Sequence, residues 1–131
     1  NKEFLKKLIF AQVRNVLLNK SFHEVMDVDT GRAWRWPHLP WHAAGFIGFI
    51  VNGVFGIRYS EQGIQVHPCI LDEFEGAVLD SVPYQNAKFV FEIHGHGDSY
   101  TVKLDGNPLE GFFGKEMTGE HKVDIYAHET E

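Results

Sequence analysis

The run from Trp41 to Val54 constrains this chain most. Ala43, Ala44, Phe46, Ile47, Phe49, Ile50 and Val51 leave a helix there with almost no polar side. A helix that is apolar all round must be surrounded by protein. Residues 3–19 offer one partner, because Phe4, Leu5, Leu8, Ile9, Val13, Val16 and Leu17 share one face of a 3.6-residue helix, with Lys6, Lys7, Gln12 and Arg14 on or near the other. Two helices and one sheet face do not suffice to cover an all-apolar helix, so further protein is expected to bury it.

From Gly56 onward the period changes from 3.6 to 2, which is the strand pattern. Ile57 to Tyr59 and Ile64 to Val66 flank Glu61-Gln62-Gly63, a hairpin signal. Phe89, Phe91 and Ile93 alternate with Val90, Glu92 and His94, and Tyr100, Val102 and Leu104 with Thr101, Lys103 and Asp105; the glycine-rich His94 to Asp98 turns between these two runs. Asp105-Gly106-Asn107 marks another turn, and Val123, Ile125 and Ala127 alternate in the last run. The expected fold class is α+β, two helices followed by an antiparallel β-sandwich, with a helical part at residues 1–55 and the sandwich at 56–131. Phe89, Phe91, Ile93, Val102 and Leu104 are its expected core.

A formal net charge of −6 argues against nucleic acid as a partner, since phosphate-backbone binders concentrate Lys and Arg on one face. The single cysteine, Cys69, lies in an apolar run and reads as a buried structural thiol. No membrane span is expected, because His42, Asn52 and Arg58 interrupt the apolar segment around 41–57. The start, Asn1-Lys2-Glu3-Phe4, has neither an initiator Met nor the layout of a signal peptide, and reads as internal to a longer polypeptide.

The segment Glu24-Val25-Met26-Asp27-Val28-Asp29-Thr30-Gly31, followed by Trp41-His42-Ala43-Ala44 opening an apolar helix, resembles the last helical hairpin of the (α/α)6-toroid glycosidases, of the glucoamylase and processing-glucosidase type. The downstream Gly56-Ile57-Arg58, Gly63-Ile64-Gln65-Val66-His67-Pro68 and the run Tyr100 to Leu104 ending in Asp105-Gly106 resemble toroid enzymes with a C-terminal sandwich, the disaccharide phosphorylases and rhamnosidase-like hydrolases. The resemblance implies that residues 1–55 end an (α/α)6 barrel, that the remainder of the parent enzyme or a second chain covers the apolar helix, and that carbohydrate is the substrate. It further implies that Glu24 holds the place of the general base of inverting members, a role that inorganic phosphate takes over in the phosphorylases. Arg32 to Pro40 matches none of these families.

Glycoside hydrolysis needs a carboxylic acid on the leaving oxygen and a carboxylate across the scissile bond; this chain would supply only the second, and alone is expected to be inactive. Against that reading stands Glu24 as a solvated loop acid. Asp27 and Thr30 read as loop scaffolding, with Gly31 at positive φ. Trp34, Trp36 and Trp41 offer flat faces for sugar stacking, or pack the loop onto the barrel end. Arg32 and Arg35 alternate with Trp34 and Trp36, so in an extended segment one set would face the cleft and the other protein; all five are candidate substrate contacts. The pair His94 and His96 can share one side of a strand, yet no Cys or carboxylate cluster completes a site, so no metal is expected. Gly95 and Gly97 precede no helix, and no cofactor is expected. The competing reading is a non-catalytic carbohydrate-binding or interaction sandwich with two accessory helices.

Overall fold

The computed structural model describes residues 1–130. The fold is α+β, two helices followed by a sandwich-like arrangement of β-strands. The chain divides into two compact units, the first spanning Asn1–Gly53 and the second beginning at Val54. Among the described residues no helix is long and apolar enough to cross a membrane.

In the first unit, α1 (Lys2–Asn19) starts at Asn1, whose side chain accepts the Phe4 N–H at 3.1 Å, and ends at Lys20, which takes φ 58° and returns its N–H to Val16 O. Its buried residues are Ile9, Ala11 and Asn15, while Phe4 and Leu17 of the expected apolar face lie exposed. Hydrogen bonding selects this face. Asn15, 1% exposed, donates to Gly31 O at 3.2 Å, Asn19 donates to the same oxygen at 3.1 Å, and Arg14 Nη2 reaches Val28 O at 2.7 Å. A buried amide is retained only with such a partner.

Those acceptors belong to a hairpin that occupies most of residues 21–39. Its strands β1 (Val25–Met26) and β2 (Ala33–Trp34) pair Val25 with Trp34 and Met26 with Ala33. Then α2 (Pro40–Gly48) begins with proline at its first turn, where the missing N–H costs nothing, and runs into a wider π-helical stretch over Phe49–Val54. None of the nine α2 residues is buried.

The second unit opens with β3 (Ile57–Ser60) and β4 (Gly63–Val66), the expected hairpin around Glu61-Gln62. Five strands form the main sheet: β5 (Val78–Tyr84), β6 (Asn86–His94), β7 (Ser99–Leu104), β8 (Asn107–Pro108) and β9 (Thr118–His128), in the order β5-β6-β9-β7-β8. Pro83 sits in β5, at the sheet edge where a missing N–H is tolerated. β6 and β7 are not neighbours: β9 lies between them, parallel to β6 and antiparallel to β7. Glycine makes this crossing possible. A Cβ at Gly95 would stand 2.8 Å from Ala127 O and one at Gly97 2.3 Å from the His128 carbonyl, so the turn lies directly over the end of β9.

One sheet face carries the core residues Phe89, Phe91, Ile93, Val123 and Ile125, all fully buried. Phe113, which bridges to Ile64 of β4, meets the Phe89 ring edge-on at 5.2 Å and so ties the β3–β4 hairpin to this core. Val102 and Leu104 share the face through their partners Ile125 and Val123, but remain half-buried because β8 flanks only the last two residues of β7. Cys69 is likewise only half-buried.

Candidate functional site

The hairpin of the first unit gathers five of the six residues singled out in the sequence, and a bulge interrupts the alternation near its base. Val25 pairs with Trp34, so regular pairing would place Glu24 opposite Arg35; instead Glu24 N–H donates to Trp36 O at 2.9 Å. One extra residue is therefore accommodated on the second strand, at Arg35, whose φ of 61° lies in the left-handed region. Strict alternation ends there. Arg32, two residues from Trp34, lies on the same strand face, its guanidinium 5.8 Å from the indole centroid. The expected division into an arginine set and a tryptophan set is thus corrected: Arg32 goes with Trp34, and Arg35 is the bulged residue.

The tip is held by Asp27. Its Oδ1 accepts the Thr30 N–H at 2.6 Å, the Thr30 hydroxyl at 2.8 Å and the Asp29 N–H at 3.0 Å. The bonds from Thr30, its backbone N–H foremost, hold the Asp27 carboxyl below its ordinary pKa. Gly31 has φ 73°, as expected for the turn, and lies against Arg14 and Leu18 of α1. At the base, Ser21 Oγ accepts the His38 N–H at 2.9 Å and lies 2.8 Å from His38 Nδ1, Leu39 N–H donates to Phe22 O, and the His42 ring bonds His23 O. Both ends of the hairpin are fixed, so Glu24 rides on a braced element.

Glu24 itself is half-buried, and its Oε2 is shut off from solvent without a hydrogen-bond partner among the described residues. One of its two carboxylate oxygens is thus withdrawn from solvent. A buried polar atom without a donor is costly, and native structures keep few. Nearby on the hairpin Trp34 is 45% and Trp36 72% exposed, so neither is consumed by packing. Trp41, 63% exposed, lies on α2 with its ring edge-on to His42 at 6.4 Å, apart from this group in the chain. A cleft of about 340 Å³ beside the hairpin base is lined by Lys20, His38 and Pro40 among others, and includes neither Glu24 nor a tryptophan.

Sequence reading missed a second polar cluster, on the sheet face opposite the core. The parallel register sets Glu92 beside Asp124 and His94 beside Tyr126. His94 Nε2 donates to Asp124 Oδ1 at 2.7 Å, and Lys122 Nζ stands 2.7 Å from Glu92 Oε2 and 3.1 Å from Asp124 Oδ1. Burial pushes the Asp124 carboxyl up, but the bonds from His94 and Lys122 outweigh it and hold the group below its ordinary range; Glu92 and then Asp124 raise the Lys122 ammonium. Three potential metal ligands, Glu92, His94 and Asp124, converge here, yet the Lys122 ammonium already occupies the place of a cation between the carboxylates. The two imidazoles of His94-Gly95-His96 have separate partners, since His96 lies 3.6 Å from Glu75. The polar alternation of these strands is legible in sequence, but their pairing is not.

No protein-family model matches the chain, and no curated protein matches it.

Proposed function

We propose that this chain is the C-terminal portion of a glycoside hydrolase of the (α/α)6-toroid type, in which Glu24 acts as the general base. The observation that carries the reading is the Glu24 carboxylate: its Oε2 is shielded and undonated, on a braced hairpin whose Trp36 is largely exposed and whose Trp34 is partly exposed with Arg32 over its ring. A base needs a lone pair that no protein donor occupies and that the reacting water can reach; no donor occupies Oε2, and in the complete enzyme the bound water would be its partner. Exposed indoles suit the apolar faces of pyranose rings. In the reaction Glu24 takes a proton from water as that water attacks the anomeric carbon, while a carboxylic acid supplied by the rest of the enzyme protonates the leaving oxygen, with inversion of configuration. The nine residues of α2, none of them buried, then find their cover in that same remainder.

The test is Glu24→Gln in the complete enzyme, assayed for disaccharide hydrolysis. The amide keeps the size of the side chain but cannot accept the proton, so turnover should fall about 10²–10⁴-fold with thermal unfolding unchanged. Near-normal hydrolysis would reject the assignment. Turnover that requires inorganic phosphate would instead move the parent to the phosphorylases.

A further inference from the structure

The second unit contains a cleft of about 320 Å³ between β4, the outer side of β7 and the segment that follows β8. Its backbone is unusual. Val102 C=O accepts Leu109 N–H at 2.9 Å and Asp105 N–H donates to Lys122 O on the β9 side, so alternation along β7 turns the N–H and C=O of Tyr100, Val102 and Leu104 away from β9. β8 pairs with Leu104, and Leu109 serves Val102. Tyr100 lies beyond the last of these bonds, and its backbone donor and acceptor have no bond on this side among the described residues. They border the cleft.

The side chains define what such a cleft can hold. Gln65, Thr101 and Tyr100 supply neutral groups that both donate and accept, Glu110 supplies an acceptor, and Pro108 and Leu109 supply apolar surface. No Lys or Arg lines it; the one imidazole, His67, can donate to or accept from a neutral hydroxyl, while a phosphate or carboxylate would meet the Glu110 carboxylate. A wholly apolar ligand would strand the polar groups. What remains is a neutral, polyhydroxylated molecule with one apolar face. Its size fits too, at the lower end of the range for small-molecule sites, about 300–1000 Å³.

We propose that this cleft is a binding site for a neutral mono- or disaccharide, with Tyr100 as its stacking platform and Glu110 as its hydroxyl acceptor. It does not depend on the reading of Glu24. The full chain is titrated with glucose, maltose and cellobiose to about 50 mM, following backbone amides by NMR, with glucose 6-phosphate as the anionic control; this range detects affinities of about 1–10 mM. Shifts confined to residues 100–102 and 109–111 with at least one neutral sugar are expected, with weaker effects from the phosphorylated one. Tyr100→Ala should weaken binding about tenfold. Glu110→Gln, at an exposed position where the fold is not at stake, should weaken it about threefold. The proposal is overturned if none of the three sugars shifts these amides, if glucose 6-phosphate binds as well as glucose, or if Glu110→Gln or a folded Tyr100→Ala binds like the wild type.

Discussion

Gly31→Ala should destabilise the first unit by about 2–3 kcal/mol, from two separable causes. The residue has φ 73°, and an L side chain held in the left-handed region costs roughly 1–2 kcal/mol. Its new Cβ would stand 3.1 Å from Arg14 Cγ and Nε and 3.3 Å from Leu18 Cδ1, so Arg14 must move. Moving it strains the 2.7 Å bond from Arg14 Nη2 to Val28 O, an exposed bond worth about 1 kcal/mol. Against a total of about 3–8 kcal/mol for a unit of this size on the usual per-residue scale, the loss is large. All three tryptophans lie between residues 34 and 41, so tryptophan fluorescence during urea unfolding reports this unit alone. With a slope near 1 kcal/mol per molar, the midpoint should drop by about 2–3 M. Gly31→Asn should lose less, because asparagine tolerates positive φ, and Gly31→Ala should cost less in an Arg14→Ala background if the contact contributes its share. A midpoint for Gly31→Ala within about 0.5 M of wild type would refute both the turn conformation and the clamp.

Two further outcomes concern the second unit. Gly97→Ala should cost more than Gly31→Ala, because its Cβ would meet backbone rather than a flexible side chain, 2.3 Å from the His128 carbonyl; circular dichroism melting of the β-unit checks this, and an unchanged melt would mean that the turn does not cross β9. The His121–Asp105 pair, 2.7 Å apart, should make stability depend on pH at both ends. The Asp105 bond, then Thr118, raises the His121 pKa, so its contribution is present below the ordinary histidine range and fades as pH rises through the raised value; Asp105, lowered first by Lys122 N–H and then by His121, loses its contribution as pH falls through its depressed value. His121→Asn should flatten the alkaline side of a stability-versus-pH profile, and an unaltered profile would contradict the pairing.

Much of this fold was legible because the signals are local. Glu61-Gln62-Gly63 between two alternating runs yields β3 and β4, and Asp105-Gly106 takes the positive φ pair of a type I′ turn, 49° and 81°. Gly31 and Asp27 follow from turn chemistry in the same way. What escaped was set at a distance. The insertion of β9 between β6 and β7 depends on a strand some 25 residues further along, and the glycines that allow it read in sequence only as a turn. A bulge at Arg35 removes one step of alternation without leaving a glycine to mark it, which hid the directions of Arg35 and Trp36, whereas Arg32 shares the face of Trp34 by the ordinary alternation that the expected division overlooked. The shielding of Glu24 Oε2 is a property of the folded hairpin that no spacing announces.

The two units differ in how far each completes a core, and that difference bears on function. The second unit closes over Phe89, Phe91, Ile93, Val123 and Ile125, with Phe113 joining its layers. In the first, the buried apolar residues of its helices are Ile9 and Ala11, while Phe4, Leu17, Leu18, Trp36, Trp41 and Ile47 are more than half exposed. Hydrophobic burial drives folding, and a surface this apolar is what interaction faces carry. The hairpin escapes dependence on that missing burial because its bonds are polar and local: Asp27 at the tip, Asn15, Asn19 and Arg14 behind it, Ser21 at the base. Such bracing holds Glu24 in place independently of the exposed apolar faces of the helices, as the role proposed for it would require.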